Sequence, residues 1–378
     1  MLADTLLIPF ILLLIIGMKT ADKSANGFFE DYFSPKNTNA LKGIFAVAVV
    51  IYHLGMVTNG SGSRLLIHCS GDFAVKFFFF ASGYGLLSQF KSYKLRGENY
   101  AKGFLGRHLP KLLVPLLVLT LPYTLFFASG ESYYGVGVIT FDMFKELFLK
   151  NGLYVVFNAW FVFELLALYI IFYICFRFIG DYKKAVRFCV FGTVALMCGF
   201  YCLNTYLNYN NFWYYSTIAF AIGVLYASYK DKIDGFLKNN YDKVSVVLYP
   251  VLMCVALAFF AIKRCSSDTT GITSAENIIL TPLFLLALMA LLTKVQPGCK
   301  RFWSFMGKIS YELYLVHGLF YLLYHSFFIN IENPAFYVFA VMGSSIAAAV
   351  IIHYIDKLIL KIYFWFYNLF HKEKGKKA

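Results

Sequence analysis

Eleven mostly apolar stretches, separated by short polar segments, dominate the chain and most constrain its fold. They cover roughly residues 2–18, 40–57, 72–90, 108–129, 157–179, 185–203, 212–228, 244–262, 276–293, 307–329 and 335–368. A helix needs about 20 apolar residues to cross the hydrocarbon core of a bilayer. Within lipid a spanning segment must satisfy its own backbone hydrogen bonds, which favours helices. The expected fold is therefore all-α, a polytopic transmembrane helix bundle. Composition agrees: 60% of the 378 residues are hydrophobic and 14% charged, against about 45–50% and 25% in soluble domains. A soluble multidomain protein, a disordered chain and a disulfide scaffold are all excluded. The first stretch has only Asp4 before its apolar run and no basic leader, so it reads as an uncleaved helix rather than a signal peptide.

The net charge of +14 raises nucleic acid as a partner, but the distribution argues against it. Segments 19–42, 91–111, 177–187, 230–243, 294–308 and 357–377 hold 28 of the 34 basic residues. The alternate segments hold only Arg64, Lys145, Lys150, Lys263 and Arg264, and Lys76 lies inside a span. Basic residues concentrate on the cytoplasmic side of membrane proteins. The expectation is a cell-membrane protein with its N-terminus outside and its C-terminus in the cytoplasm. Cys69 and Cys265 both fall in outer segments, where a disulfide is an option.

Ionisable groups inside a bilayer are costly, so each one within a span is by default a functional candidate. The structural alternative is a side chain that glues helices or snorkels, which His53 taken alone fits at least as well. Lys42 and His53 lie eleven residues apart, about 20° apart around a helix and about 16 Å along it. One helix face thus carries a cation at the membrane edge and an imidazole deep inside. Arg107 and Lys111, before Pro115, share a face and suit phosphate oxygens, although a cytoplasmic edge is basic in any case. The run Phe77 to Tyr84 contains Ser82 and Gly83, small residues that admit either a ligand or a close-packed helix. Trp160 and Phe161 precede Glu164 in another span. Ser310, Tyr314 and His317 recur at i, i+4 and i+7, a polar stripe that should face the bundle interior. No metal-ligand spacing, phosphate-binding glycine loop or nucleophile elbow is present.

In this order the segments resemble the acyltransferase 3 family of membrane acyltransferases. The matching features are Lys42 and His53 with ten residues between them, and the aromatic run ending in Ser82-Gly83-Tyr84. They continue with Arg107, Lys111 and Pro115, the Trp160-Phe161 pair, and the Gly-Lys-Ile-Ser-Tyr sequence from Gly307 that leads to His317. The resemblance covers about residues 38–368. Lys76 stands where many members have Asp or Pro, and Lys111 where many have Arg. The helix at 2–18 precedes the family's ten-helix core, so residues 1–37 form an extra helix and linker, and 369–378 a basic tail.

The resemblance implies a stand-alone member that moves an acyl group, acetyl or another short one, from cytoplasmic acyl-CoA to a hydroxyl. The acceptor class it implies is a cell-surface glycan or its lipid-linked precursor. It implies His53 as the base, with Lys42 and Arg107 gripping the acyl-CoA phosphates. Lys111, Ser82 and Gly83 are further candidates on the donor side; Trp160, Tyr314 and His317 are candidates on the acceptor side. Glu164 is the candidate to orient the His53 ring, and the Ser82 or Tyr314 hydroxyl would face the developing oxyanion. No metal and no nucleic acid are expected, and oligomeric state is left open. A transporter or flippase of a lipid-linked or acylated substrate is the competing class, although internal repeats and paired broken helices are not evident.

Overall fold

The computed structural model describes residues 3–22, 27–57, 64–128, 155–156, 158–207, 209–266, 270–326 and 329–374. These form a helical bundle with one two-residue antiparallel ladder, β1 (Lys19–Thr20) against β2 (Val295–Gln296). The helices are α1 (Ala3–Ile15), α2 (Pro35–Val57), α3 (Arg64–Leu95), α4 (Phe104–Ala128), α5 (Trp160–Phe178), α6 (Tyr182–Leu207), α7 (Phe212–Tyr215), α8 (Ile218–Cys265), α9 (Thr270–Lys294), α10 (Lys300–Lys308), α11 (Ser310–Leu323) and α12 (Pro334–Lys374).

Among the described residues, seven helices are long and apolar enough to cross a membrane. One of these runs from 212 to 263 and takes in two of the expected stretches; Asn240, at φ −131° and ψ 15°, interrupts its helical geometry. The basic segment around 230–243, expected as a connection, is therefore helical on both sides of a kink. The stretch expected at 307–329 is instead divided. Ile309, at φ −103° and ψ 9°, separates α10 from α11.

Helix α2 is the hub. It packs against α3, α10, α11 and α1, while α3 packs on α8, α8 on α9, and α12 on α11 and α4. Two glycine contacts set how closely these helices approach. A methyl on Gly43 would run into the Trp303 carbonyl and the Gly307 nitrogen, and one on Gly307 into the Asn39 carbonyl. Only hydrogen at these Cα positions lets α10 lie on α2. Asn39 strengthens the contact by donating to the Ser304 carbonyl at 2.8 Å. The expected N-terminal helix is tied to the same region: the indole of Trp303 donates to Leu13 O at 3.2 Å, and Gly298 N to Leu14 O at 2.7 Å.

Candidate active site

The centre of the site is a pair of buried rings from α2 and α11. His53 Nδ1 lies 3.1 Å from Val49 O and 3.0 Å from His317 Nε2. His317 Nδ1 lies 3.1 Å from Leu313 O, and Asn158 Nδ2 is 3.2 Å from His317 Nε2. Carbonyl oxygens only accept, so each Nδ1 carries a proton and donates to the carbonyl one turn back. With both rings neutral, His317 Nε2 must then be the acceptor, receiving N–H groups from Asn158 and His53. The same chain leaves the lone pair of His53 on Nε2. An imidazole held in one tautomer with its basic nitrogen fixed is what general-base chemistry requires.

The aromatic motif lies beside this pair. The Phe161 ring is 5.1 Å from Tyr314, and Tyr314 is 6.1 Å from His317. Trp160 stands next in line, 6.2 Å from Phe161, and also contacts Phe212 and Trp213 at 4.9 and 6.3 Å. The expected acceptor-side residues Trp160, Tyr314 and His317 are thus brought together with His53.

About three helical turns from His53 along α2, Lys42 lines a cavity of about 250 Å³. Lys111 and Pro115 from α4, Lys308, Ser310 and Glu312 from α10 and α11, and His353, Asp356 and Lys357 from α12 also line it. Four lysines from four helices therefore surround one space. None of them forms an ion pair among the described residues; Lys111 and Lys357 lie over the Phe364 and Tyr354 rings instead.

Three expected roles are corrected. Glu164 does not orient His53: its carboxylate accepts from the Thr217 hydroxyl at 2.5 Å, and His317 occupies the place on the His53 ring that was expected for it. Arg107 does not line the cavity. Its guanidinium donates to the carbonyls of Tyr100 and Lys102, both at 2.6 Å, and lies against the Tyr93 and Tyr100 rings, which fastens the turn before α4. Gly83 is a packing residue. A methyl there would meet Phe220 O of α8, and one on Gly223 would meet Phe80 O, so the two glycines make a mutual close crossing. The Ser82 side chain faces Tyr169. The Cys69 side chain lies outside the described residues. Among those residues no cluster suited to a metal ion occurs.

Several residues escaped the sequence reading. Asn158, two residues before Trp160, belongs to the histidine chain. His353, Asp356 and Lys357 carry their own signal, an i, i+3, i+4 polar stripe in an apolar helix. It is the same signal that singled out Ser310, Tyr314 and His317.

The family model described as an acyltransferase domain, that of the acyltransferase 3 family, matches residues 36–354. No curated protein and no solved structure matches the chain. The family match covers most of the sequence, and the chain belongs to the acyltransferase 3 family. Together with its apolar helices, this makes it a multi-pass membrane protein of acyltransferase type.

Proposed function

We propose that the protein transfers an acyl group from cytoplasmic acyl-CoA to a hydroxyl of a cell-surface glycan or its lipid-linked precursor. The observation that carries this reading is the His53–His317–Asn158 chain, with the lysine-lined cavity three turns away on the same helix as His53. In this reading Lys42, Lys111, Lys308 and Lys357 hold the phosphates, with their end of the bundle and the C-terminus facing the cytoplasm. The distance of about 16 Å from Lys42 to His53 is comparable to the reach of a pantetheine arm, which brings the thioester to the imidazole.

His53 Nε2 takes the proton of the acceptor hydroxyl as its oxygen attacks the thioester carbonyl. The new C–O bond forms, the C–S bond breaks, and the leaving CoA thiolate receives the proton from His53. His317 accepts the His53 Nδ1–H throughout, and Asn158 holds His317 in place.

General-base catalysis contributes about 10²–10⁴-fold, so His53→Gln is expected to lose CoA release by that factor while donor binding persists. Gln keeps a polar side chain of similar reach but cannot take the proton. The assay is free-CoA release from purified protein in nanodiscs with acceptor present. Turnover near the wild-type rate would remove His53 as the base. Mass spectrometry of surface glycans from cells with and without the gene identifies acyl group and acceptor together, and identical spectra would remove the glycan acceptor.

A further inference from the structure

Two carboxylates in the lysine cavity are not accounted for by phosphate binding. Asp356 is 2% exposed, and neither of its oxygens has a hydrogen-bond partner among the described residues. Glu312 gives one oxygen to His353 Nδ1 at 2.7 Å and leaves Oε2 buried without a partner. Both residues line the cavity that Lys42, Lys111, Lys308 and Lys357 also line, yet no lysine pairs with them. A buried carboxylate oxygen left unmatched is costly, so these oxygens call for hydrogen-bond donors from a ligand. A bound cation is a poor answer, because four ammonium groups share the space and no metal-ligating cluster is present among the described residues.

Position along the helices narrows the choice. On α11, Glu312 falls between Lys308, just before the helix, and His317, about 7.5 Å further along. On α12, His353 and Asp356 precede Lys357 and Leu360 in the chain. A donor with its phosphates on the lysines and its thioester at His53 passes these carboxylates with its middle segment. In acyl-CoA that segment is the pantetheine arm, whose N–H groups are its two amides.

We propose that Asp356 and the unpartnered oxygen of Glu312 form a subsite that accepts hydrogen bonds from the pantetheine amide N–H groups. This rests on the acyl-CoA reading above, and the test separates the two. Binding of CoA and of adenosine 3′,5′-bisphosphate, which keeps the 3′-phosphate and one 5′-phosphate of CoA but lacks the arm, is measured on the full-length protein in nanodiscs. Asp356→Leu and Glu312→Leu are expected to weaken CoA about tenfold, one charge-assisted hydrogen bond. The bisphosphate should bind these variants as tightly as wild type or tighter, because a negative charge beside the lysines is gone.

Asp356→Asn and Glu312→Gln keep an accepting carbonyl oxygen and are expected to hold CoA within about threefold of wild type. These variants also provide the check should the leucine variants fail to fold. Carboxylates that merely balance the lysines would give tighter binding of both probes in all four variants, and that result would overturn the subsite. Equal weakening of both probes in folded variants would overturn it as well, as would unchanged CoA affinity in the leucine variants. If wild-type protein binds neither probe, the acyl-CoA reading itself fails and the subsite falls with it.

Discussion

Two lysines on adjacent helices, Lys76 on α3 and Lys42 on α2, meet the membrane in opposite ways. Lys76 is 1% exposed, and its ammonium donates to Asp72 Oδ2 and Asn277 Oδ1, both at 2.5 Å, with the Phe73 ring 5.0 Å away. Every strong interaction it needs is supplied by the protein. Lys42 lines a cavity and has no hydrogen bond or ion pair among the described residues. Charges within a membrane are kept when they are paired or when they work on something else. By that criterion Lys76 holds helices together, and Lys42, which lines a cavity instead, fits the donor-binding role proposed for it. Glu164 falls between the two cases, with one oxygen on Thr217 and Oε2 buried without a partner among the described residues; Asp356 is matched to nothing among them and, unlike Glu164, lines the lysine cavity.

The sharpest way to break this comparison is to remove the paired lysine. Lys76→Met leaves Asp72 and Asn277 facing an apolar side chain. Loss of one partner of a buried ion pair costs about 3–5 kcal/mol; the Asp72 side chain is 39% exposed, so the low end, about 3 kcal/mol, is expected. Thermal or denaturant unfolding in detergent reads the loss, and donor affinity in the surviving folded fraction should be unchanged. A variant as stable as wild type would mean that Lys76 is not a structural tie.

An intermediate effect is expected at the glycine crossing of α3 and α8. Gly83→Ala places a methyl against the Phe220 carbonyl, and overpacking of this kind costs about 1–3 kcal/mol. The loss should appear in stability and expression. If Gly83→Ala instead abolished donor binding while stability held, Gly83 would return to the ligand site.

Hydropathy made the bundle legible, because each apolar stretch declares itself locally. The Lys42–His53 face was legible for the same reason: both residues sit on one helix, and the period of 3.6 places them together. The partner of His53 was not. His317 is 264 residues away, and nothing in a single sequence says that α11 lies against α2. Glu164 was the plausible choice because it is a carboxylate within a span, but its Thr217 partner lies 53 residues further on and was equally invisible. The role of Gly83 was undecided for a physical reason, since a small residue permits a close ligand and a close helix alike. The role of Arg107 was undecided as well, because a basic residue at a membrane edge looks the same whether it faces a phosphate or the carbonyls of its own turn.

The smallest expected stability effect tests the other half of the comparison. Lys42→Met removes a cation that no protein group pairs with among the described residues, so no buried partner is orphaned. Stability is expected to stay within about 0.5 kcal/mol of wild type, as for substitutions away from special contacts. Donor binding should respond instead. Loss of one charge-assisted phosphate contact weakens CoA about tenfold or more, and the bisphosphate probe should lose affinity alongside it, unlike in the Asp356→Leu protein. Raising ionic strength should weaken wild-type binding more than that of Lys42→Met, because the variant has one fewer cation to screen. If Lys42→Met instead unfolds the protein as readily as Lys76→Met while sparing donor affinity, the two lysines are equivalent ties. Matched and unmatched polar groups would then no longer distinguish scaffold from site in this bundle.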